Sequence, residues 1–217
     1  MTKILKIALL LLVATSLFAN AQTTKKSDFL QQMKESVQDS TSNFYYSKLL
    51  KKIESNPGSV SEQEIYYLYY GQITLKKPKG LPMLMDDYEQ QLEFRKAAMK
   101  GNKKKTLSLG LLLLKDNPAE ITTLMHTLTA LKELKKPDDN FLEKRFQLLL
   151  KAILSTGDGN SNETPIKIAN VEDDYIIKGI LNFKSNDEVI EQYNGVLLSV
   201  WKNAEGKLYF EDTWAYL

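Results

Sequence analysis

The sequence predicts an α+β chain, with an N-terminal antiparallel helical bundle followed by a small antiparallel β-sheet. Three observations carry that expectation. Through residues 43–155 apolar side chains recur at helical spacing between recognisable start and stop signals. A polar loop with two glycines then breaks the pattern at 156–164. Beyond it the texture turns to β-branched and aromatic runs separated by hairpin signals, and the two parts are expected to pack as one unit.

The chain begins as an export signal does. Lys3 and Lys6 precede an apolar run of roughly a dozen residues, too short for the ~20 that cross a bilayer, and Ala19-Asn20-Ala21 supplies small residues for signal peptidase. Cleavage is expected after Ala21. Removing those 21 residues from 217 leaves 196, and removing the two lysines from 29 basic residues leaves 27 against 27 acidic ones. A net charge of zero argues against binding nucleic acid or an anionic membrane, both of which need a basic excess. No cysteine is present, so neither a disulfide nor an N-terminal lipid can form. The address expected from these features is the periplasm or the exterior.

Residues 22–42 read as a flexible or frayed leader. The bundle proper opens with Tyr46, Leu49, Leu50 and Ile53, and Asn56-Pro57-Gly58 stops that helix. Ser61 and Glu64 have the spacing of a capping box for the next, which carries Ile65, Tyr66, Tyr69, Tyr70 and Ile73. Residues 76–82 are a Pro/Gly/Lys-rich connection. Residues 86–100 form a helix with a thin stripe of Tyr88, Leu92 and Met99. Leu107, Leu111 and Leu114 mark another, and Asn117-Pro118 with Glu120 is expected to start its successor. That helix buries Ile121, Leu124, Met125, Leu128 and Leu131. Asp138 or Asp139 can cap the last, with Leu142, Phe146, Leu149, Leu150 and Ile153 inward. The short connections imply antiparallel neighbours of tetratricopeptide-like texture, although the repeat's Trp, Gly and Ala positions are not all present.

Strands are expected at Ile166 and Ile168, at 175–183, at 196–201 and from Lys207 to Trp214, with residues 203–206 turning a hairpin. Residues 187–193 are ambiguous between a short helix and a strand turned by Asn194-Gly195.

Three stretches in order resemble a known family. They are Phe44-Tyr45-Tyr46 leading to Leu49, then Tyr67-Leu68-Tyr69-Tyr70-Gly71, then Gly157-Asp158-Gly159 with Ser161, Glu163-Thr164 and Asp174-Tyr175-Ile176. Together they resemble domain-of-unknown-function family 4919 of Bacteroides-type bacteria. The resemblance implies a secreted or periplasmic protein of this length with no assigned activity, and it supplies no catalytic residues. Pro165 stands where many members have alanine.

Candidate chemistry is sparse. The loop Asp158-Gly159-Asn160-Ser161-Asn162-Glu163 puts oxygen-bearing side chains at alternate positions, as the first half of a calcium loop does, and Asp158, Asn160, Ser161 and Glu163 are its candidate contacts. Glu163 and Ala169 occupy the positions where that loop needs glycine and a bidentate glutamate, so a self-bonded turn is the expected outcome and no metal is called for. Four tyrosines at 66, 67, 69 and 70 cannot share one helix face; Tyr66, Tyr69 and Tyr70 are expected in the core and Tyr67 exposed as the binding candidate, with Tyr70 beside it. His126 is the only histidine, which excludes two-histidine zinc motifs, and no serine stands in a nucleophile elbow. Among carboxylates, Asp86, Asp87, Glu163, Asp173 and Asp174 are available for glycosidase-type chemistry. The expectation is a non-enzymatic binding or scaffold module for a protein or peptide partner, using no cofactor. The alternative is a periplasmic hydrolase of carbohydrate or peptide with carboxylates near Asp158 and Glu163. A third option is self-pairing through the last strand.

Overall fold

The computed structural model describes residue 29, residues 31–75 and residues 85–213, with backbone alone for 85–88. The expected export signal, the connection at 76–82 and Trp214 lie outside the described residues. Eight helices and four strands follow one another: α1 (31–38), α2 (Tyr46–Ser55), α3 (Glu62–Leu75), α4 (Met85–Met99), α5 (Lys103–Asp116), α6 (Ile121–Glu133), α7 (Leu142–Leu154), β1 (Ile166–Ile168), α8 (Asp173–Ile180), β2 (Asp187–Tyr193), β3 (Val196–Asn203) and β4 (Gly206–Asp212). The helical front and β-containing back are therefore as expected.

Local side-chain bonds account for the starts of α3, α5, α6 and α7. The Ser61 amide donates to Glu64 Oε2 at 2.9 Å while the Glu64 amide donates to Ser61 Oγ at 3.2 Å, a reciprocal capping box. Asn102 caps α5 through Lys105 N. Asp138 takes the amides of Leu142 and Glu143 at the start of α7, at 2.8 and 2.9 Å. The start of α6 differs from expectation. Asn117 lies at the end of α5, and Glu120 caps α6 by accepting from Thr122 N and Thr123 N. A carboxylate is drawn to those unpaired amides more strongly than a neutral amide oxygen is.

The helices are packed tightly enough to require glycine at two crossings. A Cβ on Gly110 of α5 would sit 1.9 Å from Thr127 Oγ1 of α6, and one on Gly71 of α3 would sit 2.4 Å from Val37 Cγ1 of α1. The leading helix is consequently docked, with Met33 and Val37 in the core, and not frayed. Lys144 reaches Gly58 O and Lys151 pairs with Glu62, so α3 and α7 run in the same direction side by side. That contact between helices distant in sequence closes the bundle, where a linear repeat array would join only neighbours. In α4 the buried residues are Phe94 and Ala97, while Leu92 and Met99 of the expected stripe are exposed.

The sheet order is β1-β4-β3-β2, and it is mixed. β2, β3 and β4 form an antiparallel meander, but β1 pairs with β4 in parallel, Ile166 opposite Phe210. An all-antiparallel sheet was expected because hairpins are visible in sequence; β1 instead reaches β4 by the long crossover that parallel pairing needs. Asn194 and Gly195, both at positive φ (52° and 79°), turn the β2–β3 hairpin and resolve residues 187–193 as a strand. The largest departure is α8. Residues 175–183, which overlap it, were expected to form a strand. The buried positions are 173, 174, 177 and 178, a helical stripe hidden from hydropathy because three of the four are charged. Placing β4 in the sheet interior also removes the option of self-pairing through the last strand; the outer strands are the short β1 and the seven-residue β2.

Candidate functional site

The residues singled out in sequence do not form one site. Tyr67 is 8% exposed and stacks on Phe44 with ring centroids 4.0 Å apart, so the ring expected to face a ligand lies in the core. The reason is α2, whose leading residues fold back over that side of α3. Tyr70 is fully buried and its hydroxyl donates to Lys167 O at 2.8 Å, joining α3 to β1. Tyr66 is the half-buried member of the group; it lines a shallow depression of about 380 Å³ with Glu62, Gln63, Ala152 and Ser155.

The 158–164 loop binds itself. Asp158 Oδ1 accepts from Thr164 Oγ1 at 2.6 Å and from Asn160 N at 3.0 Å, and Ser161 Oγ accepts the Glu163 amide. Gly159 N donates to Thr164 O, and Gly159 O accepts Tyr209 N, which ties the loop to β4. Gly159 needs its φ of +70° and has Leu208 against it, so a side chain has no room there. Thr164 holds the Asp158 carboxyl below the ordinary range, and Ser161 does the same for Glu163, which also accepts from Tyr193 at 3.3 Å. Asn160 is exposed and its side chain also helps to hold the Asp158 carboxyl low. Among the described residues no group of three or more acidic, histidine or cysteine side chains could hold a metal. His126 is half-buried, 6.2 Å from Phe94, and burial lowers its pKa.

A polar cluster forms instead at the N-terminal end of α8. Asp173 is buried at 1% exposure; Tyr69 donates to its Oδ2 at 2.6 Å, and Tyr69 Oη in turn accepts Ala169 N. Burial drives the Asp173 carboxyl up to about 7. The next residue, Asp174, faces the sheet and is also fully buried. Its Oδ2 accepts from Trp201 Nε1 at 2.9 Å and lies 3.0 Å from Ser199 Oγ, while its Oδ1 is buried without a partner. Ser199 Oγ is also 2.7 Å from Glu188 Oε1, and Tyr175 Oη donates to Glu188 Oε2. Lys178 places its ammonium 3.2 Å from the centre of the Trp201 ring and donates to Ser185 O at 2.7 Å. Burial raises Asp174 and lowers Lys178. Of the carboxylates named in sequence, the fold thus sets Asp173 and Asp174 apart and leaves Glu163 in a surface turn.

The model of the family described as a domain of unknown function, DUF4919, matches residues 31–212. The chain belongs to that family. Neither the curated proteins nor the solved structures gave a match. The DUF4919 match spans α1 through β4, so both the self-bonded loop and the α8 cluster lie within it. In this DUF4919 chain the α8 cluster sits under an open surface. The register places Ile190 opposite Ser199 and Glu188 opposite Trp201 on one sheet face. Ile190 is 62% exposed, Leu197 is 50% exposed and Tyr175 is 53% exposed around it. No other strand among the described residues pairs with the outer edge of β2.

Proposed function

We propose that this DUF4919 protein is an exported, non-enzymatic binding module that takes up an extended polypeptide segment along the outer edge of β2. The carrying observation is that seven-residue edge, unpaired among the described residues and bearing exposed Ile190, with exposed Leu197 of β3 on the same sheet face. An unpaired edge offers a row of backbone donors and acceptors that only another extended chain can match, and alternate side chains add specificity. The apolar rim suits a segment with apolar residues at alternate positions. The sequence features of an export signal supply the address, and no helix among the described residues is long and apolar enough to cross a membrane. This reading moves the binding surface from the tyrosines of α3, which are mostly buried, to the sheet.

A second reading has one observation in its favour. Asp174 and Glu188 are linked through one hydroxyl, and Asp174 is raised, as the acid of a hydrolase would be. Against it, Asp174 has no accessible surface from which to touch a substrate. Photo-crosslinkers placed at Ile190 and, as a control, at the 88%-exposed Met99 test the first reading in intact cells. The captured polypeptide, purified and added back, should protect the amides of 187–193 from hydrogen exchange. Crosslinks at Met99 alone, or an added polypeptide that leaves β2 unprotected, would sink the proposal.

A further inference from the structure

The hydrogen-bond count beneath this surface does not close with ionised carboxyls. Ser199 Oγ stands 3.0 Å from Asp174 Oδ2 and 2.7 Å from Glu188 Oε1, yet a serine hydroxyl carries one proton. If both carboxyls were ionised, one of these two short contacts would set oxygen against oxygen with no hydrogen between them. The nearest cation does not resolve the conflict. Lys178 feels the charge of both carboxyls, but its ammonium donates to Ser185 O and lies over the Trp201 ring, so it puts no hydrogen into either Ser199 contact. The other groups facing the pair are neutral donors, Tyr175 Oη on Glu188 and Trp201 Nε1 on Asp174. Glu120 acts on the neighbouring Asp173, which points away to Tyr69.

We propose that Asp174, Ser199 and Glu188 share one retained proton, forming a pH-sensitive latch that fastens α8 to β2 and β3. In the closed state the Asp174 carboxyl donates to Ser199 Oγ, and Ser199 donates to Glu188 Oε1, so each gap holds one proton. When the carboxyl proton leaves to water, two anions compete for one hydroxyl proton, and the fastening of α8 to the β2 edge weakens. The latch tightens as pH falls. It stands whether or not a polypeptide docks at β2.

The test is carboxyl carbon NMR across a pH titration of the protein. Asp174, raised by burial, should titrate above the ordinary aspartate range, and the Glu188 carboxyl carbon beside it should report that same step. Ser199→Ala should abolish the common step, and Glu188→Gln, which keeps the acceptor oxygen, should lower the Asp174 midpoint. Hydrogen-exchange protection of 187–193, corrected for the intrinsic pH dependence, should fall above that midpoint in the wild type and stay level in Asp174→Asn. Titration of Asp174 at the ordinary aspartate value, or level protection in the wild type, overturns the latch.

Discussion

Replacing Asp173 by asparagine should change how stability depends on pH more than any other single substitution at the α8 cluster. The carboxyl is buried at 1% exposure and its pKa in the folded protein is about 7, against a reference value of 3.8. A carboxyl whose folded pKa is raised binds more protons in the folded than in the unfolded state. Its contribution is therefore fully present below about pH 3.8 and is lost as pH rises through about 7. At roughly 1.4 kcal/mol per unit, a shift of about three units amounts to about 4 kcal/mol, a large part of a typical domain's stability. Asparagine retains an oxygen to accept from Tyr69 but cannot ionise. Urea unfolding at pH 4.5 and pH 8 should show Asp173→Asn gaining about 3 kcal/mol relative to wild type between the two conditions. Other titrating groups, His126 and the surface carboxylates among them, are common to both proteins and cancel in the difference. Parallel stability profiles for the two proteins would refute the reasoning, because they would mean that Asp173 ionises in the folded protein as freely as in the unfolded chain.

Further outcomes follow from the same contacts. Arg145 is 3% exposed on the inner side of α7, its Nε is buried without a partner, and burial lowers its pKa to about 10; Arg145→Met should raise stability by about 1–4 kcal/mol in thermal or urea unfolding. Gly110→Ala should destabilise by about 1–3 kcal/mol, because its Cβ would meet Thr127 Oγ1 at 1.9 Å, and Gly110→Ala with Thr127→Ala should recover part of the loss. Tyr67→Ala should cost about 3–5 kcal/mol through the lost stack on Phe44, while Tyr175→Ala, at an exposed ring, should cost far less in the same assay. Calcium should leave the melting temperature unchanged, since Asp158 and Ser161 already spend their oxygens on Asn160, Thr164 and Glu163; a rise reversed by chelator would contradict the self-bonded loop.

Much of the architecture was legible because the interactions that set it lie within a few residues of one another. The Ser61–Glu64 capping box, the Asn102 and Asp138 caps and the Asn194-Gly195 turn are all short-range bonds. Buried apolar stripes in α6 and α7 follow the helical period in sequence and in space, whereas α3 is buried without a break from Tyr67 to Ile73. Where the period misled, a tertiary contact had overridden it. In α4 the exposed Leu92 and Met99 carried the visible stripe, and Phe94 took the core position.

The candidate site was far less legible. Asp173 and Asp174 are two of five available carboxylates in sequence, with nothing to single them out until Tyr69, Ser199 and Trp201 are brought to them, and the hydroxyl that meets Asp173 comes from 104 residues earlier. Tyr67 read as exposed because four tyrosines overfill one face of α3, and only the placement of Phe44 shows how the surplus ring is covered. By itself, the sequence determined the helical front, the hairpins of the back, the absence of cysteine and paired-histidine chemistry, and the family texture. The tertiary structure decided that α8 is a helix, that the sheet is mixed with β2 at one edge, and that two adjacent aspartates of one helix are buried against different partners. Capping and turn bonds are local and leave their donors and acceptors side by side in the chain. Burial of a charge depends on partners that only folding assembles.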